Sequence, residues 1–219
     1  MCFSAQADIV GGLVVTAIGL DVISHVNGRR KHMALAALPL LLGVHQLVEA
    51  FVWWSLQGHV NAGLGRVATW IYLLIAFVVL PVFIPLGVMW LEPQRRRRSV
   101  MVVFVVLGVA VSTVLLAAMA RGPAKAVLGH NHLSYSTDLR AGLVVVVAYV
   151  VATCGALILS SHRDVAAFGV VNLVAVAVLA KLTIDGFASL WCGWAALTSA
   201  AFAVHLRYGR GGTKRIVLP

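Results

Sequence analysis

Glu49 places a carboxyl group inside a hydrophobic run that is long enough to cross a lipid bilayer. The run covers Met33–Leu56, and Glu49 is its only charged residue. An ionisable side chain at that depth is costly and marks a functional site by default. We therefore expect Glu49 to donate or accept a proton in an apolar pocket, the alternative being a structural carboxyl bonded to a neighbouring helix.

Other side chains that suit this chemistry lie close to Glu49 in the run. His45, Glu49 and Trp53 follow one another at intervals of four residues and so share one face of a helix. An aromatic face beside an acid stabilises a cationic intermediate through the ring quadrupole. The predicted substrate-binding residues are aromatic or hydrogen-bonding side chains: His45, Gln46, Trp53, Tyr72, Trp191 and Trp194.

A second carboxyl, Asp185, lies at a predicted turn between the last two hydrophobic runs. It follows Lys181 by four residues, so a structural ion pair at a helix end is one interpretation. A catalytic role is the other, because two carboxyls in different environments can divide the acid and base roles. We predict that Glu49 and Asp185 are both catalytic, with the division of roles open. Asp8, near the start of the chain, could join the same pocket.

Histidines and cysteines offer a different chemistry. His130 and His132, in the one long loop, could form a metal site with His45. H-x-H in a loop is common, however, and the sequence contains neither HExxH nor CxxC. We predict no metal and no other cofactor. Cys2 and Cys192 could form a disulfide, although two separate thiols are expected.

The elements that must position these groups are hydrophobic throughout. The 219 residues are 61% hydrophobic and 11% charged, whereas a soluble domain carries about 25% charged residues. Apolar runs of roughly 18 residues or more predict spanning helices. The predicted fold is all-α, a polytopic membrane bundle of seven transmembrane helices, over Ala7–Val26, Met33–Leu56, Val67–Leu91, Ser99–Ala120, Ala141–Leu159, Val165–Thr183 and Ala188–Leu206. Residues 1–207 form this single domain, and residues 208–219 a basic tail.

The distribution of basic residues predicts the orientation. With the N-terminus outside and the C-terminus inside, the inner segments hold most of the 17 lysines and arginines, as the positive-inside rule requires. Topology and contact with anionic lipids therefore explain the net charge of +10, and no nucleic-acid partner is expected. In this orientation Glu49, Asp185, Trp191 and Trp194 all fall in the outer half of the bilayer.

Three stretches resemble a bacterial family of small, uncharacterised multi-pass membrane proteins. They are Met1–Ala5 (MCFSA), Leu38–Glu49 followed by Trp53, and Ser189–Cys192 (SLWC), and the resemblance covers most of the chain. The family pattern has Gln where this chain has His45, and Gly where it has Ala50. The resemblance implies an integral protein of a bacterial cytoplasmic membrane.

By architecture the chain also resembles small seven-span terpene cyclases of meroterpenoid and indole-sesquiterpenoid pathways. Those enzymes use one carboxyl on an early span and another near the last spans. The resemblance implies proton-initiated cyclisation of a lipophilic prenyl substrate, with Glu49 or Asp185 as the acid and Trp53 and Tyr72 beside the cation. No Asp-rich motif for a diphosphate is present.

Two other functions stay open. One is a proton-coupled small-molecule transporter, in which Glu49 would be a proton relay. The other is a membrane metal-site protein that uses His45, His130 and His132. In the favoured interpretation the partners are a lipophilic small molecule and membrane lipids, and the oligomeric state is not predicted.

Overall fold

Apolar runs of this length fold as helices because a helix satisfies its backbone hydrogen bonds internally, which a bilayer demands. The computed structural model describes residues 4–25, 30–122, 125–128, 133–136, 142–182 and 187–208. This part of the chain contains seven helices, which are α1 (Ala5–Ser24), α2 (Arg30–Leu56), α3 (Ala62–Leu91), α4 (Arg95–Arg121), α5 (Gly142–Ile158), α6 (Arg163–Leu182) and α7 (Phe187–Tyr208).

Five of the helices are long and apolar enough to cross a membrane, namely α1, α2, α3, α4 and α6. Helix α5 and the stretch Gly193–Val204 of α7 are apolar but shorter. The prediction of an integral membrane protein built as a helical bundle is confirmed at this level. The number of seven crossings stays a prediction.

A short β-hairpin, which the sequence did not predict, lies in the long loop between α4 and α5. Strand β1 (Lys125–Leu128) pairs antiparallel with β2 (Leu133–Ser136), in the register Lys125 to Ser136. The backbone of β1 lies next to α2, and that of β2 lies next to α7. The hairpin therefore adjoins two of the helices that carry the predicted site residues.

Helices α1 and α2 pack closely through glycines. A methyl group added at Gly43 would lie 2.6 Å from the backbone nitrogen of Thr16, and one at Gly19 would lie 2.7 Å from the Cα atom of Leu40. Small residues at a crossing let helix backbones touch, which is how membrane helices commonly associate. This contact brings the end of α2 beside the beginning of α1.

Helix α3 contains a π-helical turn at Ile75–Val79. A π turn interrupts the regular ladder of backbone hydrogen bonds and is often found at functional sites. Here neighbouring helices donate to its carbonyl groups: the Ser112 hydroxyl of α4 donates to Val78 O at 2.9 Å, and the Tyr149 hydroxyl of α5 donates to Ala76 O at 2.8 Å. These bonds join the middle of the bundle across α3, α4 and α5.

Candidate functional site

A cluster of wholly buried polar side chains lies between the beginning of α1 and the end of α2. Asp8, His45, Gln46 and Glu49 are each 0% exposed, as is Tyr72 of α3. Burying a polar group costs free energy unless it is hydrogen-bonded, so such clusters are uncommon inside an apolar bundle. Glu49 therefore faces the interior of the bundle and not the lipid.

Gln46 joins three helices in this cluster. In the amide orientation that satisfies both neighbours, Nε2 donates to Asp8 Oδ1 at 3.2 Å, and Oε1 accepts from the Gly193 N–H of α7 at 3.3 Å. Asp8 lies in the first turn of α1, where the helix dipole favours a carboxylate. Ser4 caps that turn by accepting from the Ala7 N–H at 3.2 Å. The beginnings of α1 and α7 are thereby held against α2.

His45 and Trp53 flank Glu49 on α2, and both are buried. The imidazole of His45 stacks on the ring of Tyr72, with centroids 4.1 Å apart and planes inclined by 17°. Neither ring nitrogen of His45 has a hydrogen-bond partner among the described residues, and the same holds for Nε1 of Trp53. Trp53 is 4% exposed. The helix face predicted from the four-residue spacing is therefore buried along its length. It carries polar atoms that have no hydrogen-bond partner among the described residues.

The two tryptophans of α7 occupy different environments. Trp191 is half-buried and packs against the cluster formed by Tyr72, Leu73, Ala76 and Met119. Trp194 is 37% exposed on the surface of the bundle. The structure thus brings Trp191 to the cluster that contains Tyr72, while Trp194, three residues later on the same helix, is exposed.

Several predicted residues lie outside the described part of the chain. They are Asp185, His130, His132, Cys2 and the side chain of Cys192. The separation of Glu49 from Asp185 therefore stays a prediction. Within the described residues, no three His, Cys, Asp or Glu side chains are arranged to hold a metal ion.

A cavity of about 30 Å³ lies in the middle of the bundle. Its walls come from α2, α3, α5, α6 and α7, and they include four side chains with a nitrogen or oxygen atom: Tyr149, Thr153, Asn172 and Trp191. Thr153 belongs to a second π turn, Val151–Gly155 of α5. The volume matches one water molecule, and Trp191 borders both this cavity and the Tyr72 cluster.

A third buried carboxyl, Glu92, was not singled out from the sequence. It lies after α3 and is 4% exposed. Its Oε1 accepts from Ser160 Oγ at 2.8 Å and from the Ser161 N–H at 2.7 Å, and its Oε2 accepts from Ser161 Oγ at 2.6 Å. Burial alone would raise the pKa of Glu92, but these hydrogen bonds and the nearby His162 lower it below its ordinary value. Glu92 thus joins the α3–α4 and α5–α6 connections.

A comparison with protein families finds a match over residues 1–215 to the model described as a family of unknown function (DUF6629). No curated protein matches the chain, and no solved structure does.

Proposed function

The chain belongs to the DUF6629 family, whose function is unknown, and we propose from its own residues that it is an integral membrane enzyme that protonates and cyclises a lipophilic prenyl substrate. The observation that carries this proposal is the wholly buried Glu49 carboxyl, flanked on one helix face by His45 and Trp53. A carboxyl in an apolar site suits general acid catalysis because burial favours its neutral form.

The proposed reaction begins with proton transfer from the Glu49 carboxyl to an alkene carbon or an epoxide oxygen of the substrate. The carbocation that results is attacked by a second double bond of the same chain, which closes a ring. The aromatic rings of Tyr72 and Trp53 stabilise the positive charge. A carboxylate then removes a proton from the cyclised cation, and Asp185 and the buried Asp8 are the two candidates for this base.

The cavity that Trp191 borders has room for about one water, so a prenyl chain would enter it only if the helices that line it moved apart. The π turns Ile75–Val79 and Val151–Gly155 belong to the two helices α3 and α5, which both line this cavity. Irregular turns are where a helix bends most readily. We propose that α3 and α5 move apart to admit the substrate beside Trp191.

We further propose seven crossings, with the N-terminus outside, in a bacterial cytoplasmic membrane. The run Arg95–Arg98 begins α4 three residues after Glu92, and Arg163 begins α6 two residues after the second of the serines that bind Glu92. Two arginine-bearing connections therefore lie at the same end of the bundle, which the positive-inside rule assigns to the cytoplasm. Glu49 then lies in the outer half of the membrane.

Deuterium incorporation tests the proton-initiated step. Membranes containing the protein are incubated in D₂O with prenyl and epoxy-prenyl substrates, and the products are analysed by mass spectrometry. Protonation of an alkene carbon by Glu49 transfers solvent-derived deuterium to a carbon of the cyclised product. Formation of a cyclised product from an alkene substrate without any carbon-bound deuterium would contradict the proposal.

A proton-coupled carrier is the second candidate, and the two wholly buried carboxyls of the site favour it. Asp8 and Glu49 are both 0% exposed, and ionisable residues inside a membrane often act as proton relays. Uptake of solute by proteoliposomes under a pH gradient would support this function. A metal site would use His45, His130 and His132, and elemental analysis of the purified protein tests it.

A further inference from the structure

We propose that the His45–Trp53 face of α2 binds an uncharged, oxygen-bearing head group of a lipophilic ligand, such as an alcohol or a carbonyl. The inference rests on the proposed function, since it names the polar end of the substrate that Glu49 would protonate. It is carried by three polar atoms on this face, Nδ1 and Nε2 of His45 and Nε1 of Trp53, which are buried and have no hydrogen-bond partner among the described residues.

Unsatisfied buried polar atoms are rare in native proteins, because each costs the free energy of desolvation without a compensating bond. The three atoms belong to side chains that precede and follow Glu49 by one helical turn. They are therefore not scattered across the bundle. They lie on the face that carries the proposed acid, where the polar end of a substrate would be held.

The stack on Tyr72 determines how His45 can bind. With the two rings nearly parallel and their centroids 4.1 Å apart, one face of the imidazole is covered. Its nitrogens form hydrogen bonds in the ring plane, outward from the edge of the ring, which the stack does not cover. A neutral imidazole offers one donor and one acceptor, and the indole of Trp53 offers one donor. A hydroxyl group bonds one nitrogen of an imidazole at a time, so it satisfies the two nitrogens only in part. A ligand oxygen can accept a hydrogen bond from the imidazole N–H or the indole N–H without carrying a charge.

The charges around the face favour a neutral head group. The buried ionisable neighbours are the carboxyl groups Asp8 and Glu49, and the buried residues of the described chain include no lysine or arginine. A phosphate or diphosphate would therefore enter beside acids with no lysine or arginine among the described buried residues to balance it, which is strongly unfavourable in an apolar interior. An alcohol or carbonyl carries the required acceptor without this cost.

Binding of two matched probes tests the proposal. Farnesol has a terminal hydroxyl, and farnesene is a hydrocarbon of similar size and shape. The full chain in lipid nanodiscs is titrated with each radiolabelled probe, and binding to empty nanodiscs is subtracted. We expect farnesol to bind about tenfold more tightly than farnesene, the ratio that one satisfied buried hydrogen bond produces.

Four variants assign the preference to the proposed atoms. His45→Phe keeps a ring to stack on Tyr72 but removes both nitrogens, and Trp53→Phe removes the indole N–H. The two side chains are separated by eight residues, about 12 Å of helix rise, so a single hydroxyl is expected to contact one of them. The variant that removes this contact should reduce the preference for farnesol several-fold. His45→Gln keeps a donor and an acceptor and should retain it, as should Trp54→Phe, the control at the neighbouring position. If His45→Phe does not fold, His45→Leu, which also removes both nitrogens, takes its place.

Equal affinity for the two probes, no saturable binding of farnesol, or an unchanged preference in the folded variants would overturn the head-group site. The Glu49→Gln variant separates this inference from the proposed function. A retained farnesol preference in that variant supports the head-group site, whether or not turnover is lost. Full turnover by Glu49→Gln would contradict the acid role alone.

Discussion

The imidazole of His45 stacks on the phenol ring of Tyr72, with ring centroids 4.1 Å apart and an interplanar angle of 17°. Both residues are wholly buried, and they join α2 to α3 one turn before Glu49. Stacking covers one face of the imidazole but leaves its two nitrogens without a hydrogen-bond partner among the described residues. The pair therefore forms one wall of the site and leaves its polar edge available for a ligand.

The bridge through Gln46 predicts a loss of stability on its removal. Gln46→Leu removes the hydrogen bond that Gln46 donates to Asp8 and the one that it accepts from the Gly193 N–H. We therefore expect the free energy of unfolding to fall by about 1–3 kcal/mol. Thermal unfolding in detergent micelles measures the change. Gln6→Leu, at an exposed position of α1, is the control and should shift the midpoint little. Equal midpoints for the two variants would contradict the bridge.

The crossing of α1 and α2 predicts intolerance of side chains at Gly43. A methyl group there would lie 2.6 Å from the Thr16 backbone nitrogen, so Gly43→Ala must push the helices apart. Overpacking of this kind costs about 1–3 kcal/mol. In Gly122→Ala the new methyl would lie 3.9 Å from Ala118 O, an ordinary contact. The same unfolding assay should show a large loss for the first variant and a small one for the second.

Much of this fold could be predicted from local patterns, and the reason is physical. The run Met33–Leu56 predicted α2, which begins at Arg30 and ends at Leu56. This was possible because a membrane helix consists of consecutive apolar residues in the number that a bilayer requires. The buried face of His45 and Glu49 followed from helical periodicity. Local patterns did not predict the hairpin in the long loop.

Contacts between distant segments could not be predicted in this way. The Glu92–Ser160 bond joins residues 68 positions apart, and no periodicity connects them. The bond from the Gly193 N–H to Gln46 is a further example, because a helical backbone amide carries no sequence signal for its partner. For the same reason the pairing of Glu49 with Asp185 stays a prediction from topology alone.

The Glu92 cluster predicts a dependence of stability on acid pH. Because folding lowers the pKa of Glu92, its carboxylate contributes stability that is fully present above the ordinary value of 4.5 and is lost as the pH falls through the lower folded value. Unfolding midpoints measured across this acid range should fall more steeply for the wild type than for Glu92→Gln. Ser161→Ala, which removes one of the hydrogen bonds, should lie between them. Parallel curves for all three proteins would contradict this role of Glu92.

The proposed orientation predicts opposite labelling of two connections. Single cysteines are introduced at His59, between α2 and α3, and at Gln94, between α3 and α4, in a variant that lacks the native cysteines. Both positions are exposed. In intact cells a membrane-impermeant thiol reagent should label His59→Cys and not Gln94→Cys. The reverse pattern would place the N-terminus inside.

Turnover by Glu49→Gln tests the central claim most directly. The variant keeps the size and hydrogen-bonding capacity of the side chain but cannot supply the proton, so cyclisation of a prenyl or epoxy-prenyl substrate should fall by a factor of about 10² or more. Glu92→Gln removes a buried carboxyl outside the site and serves as the matched control, with turnover near that of the wild type. Turnover by Glu49→Gln that equals the wild type would contradict the role of Glu49 as the acid.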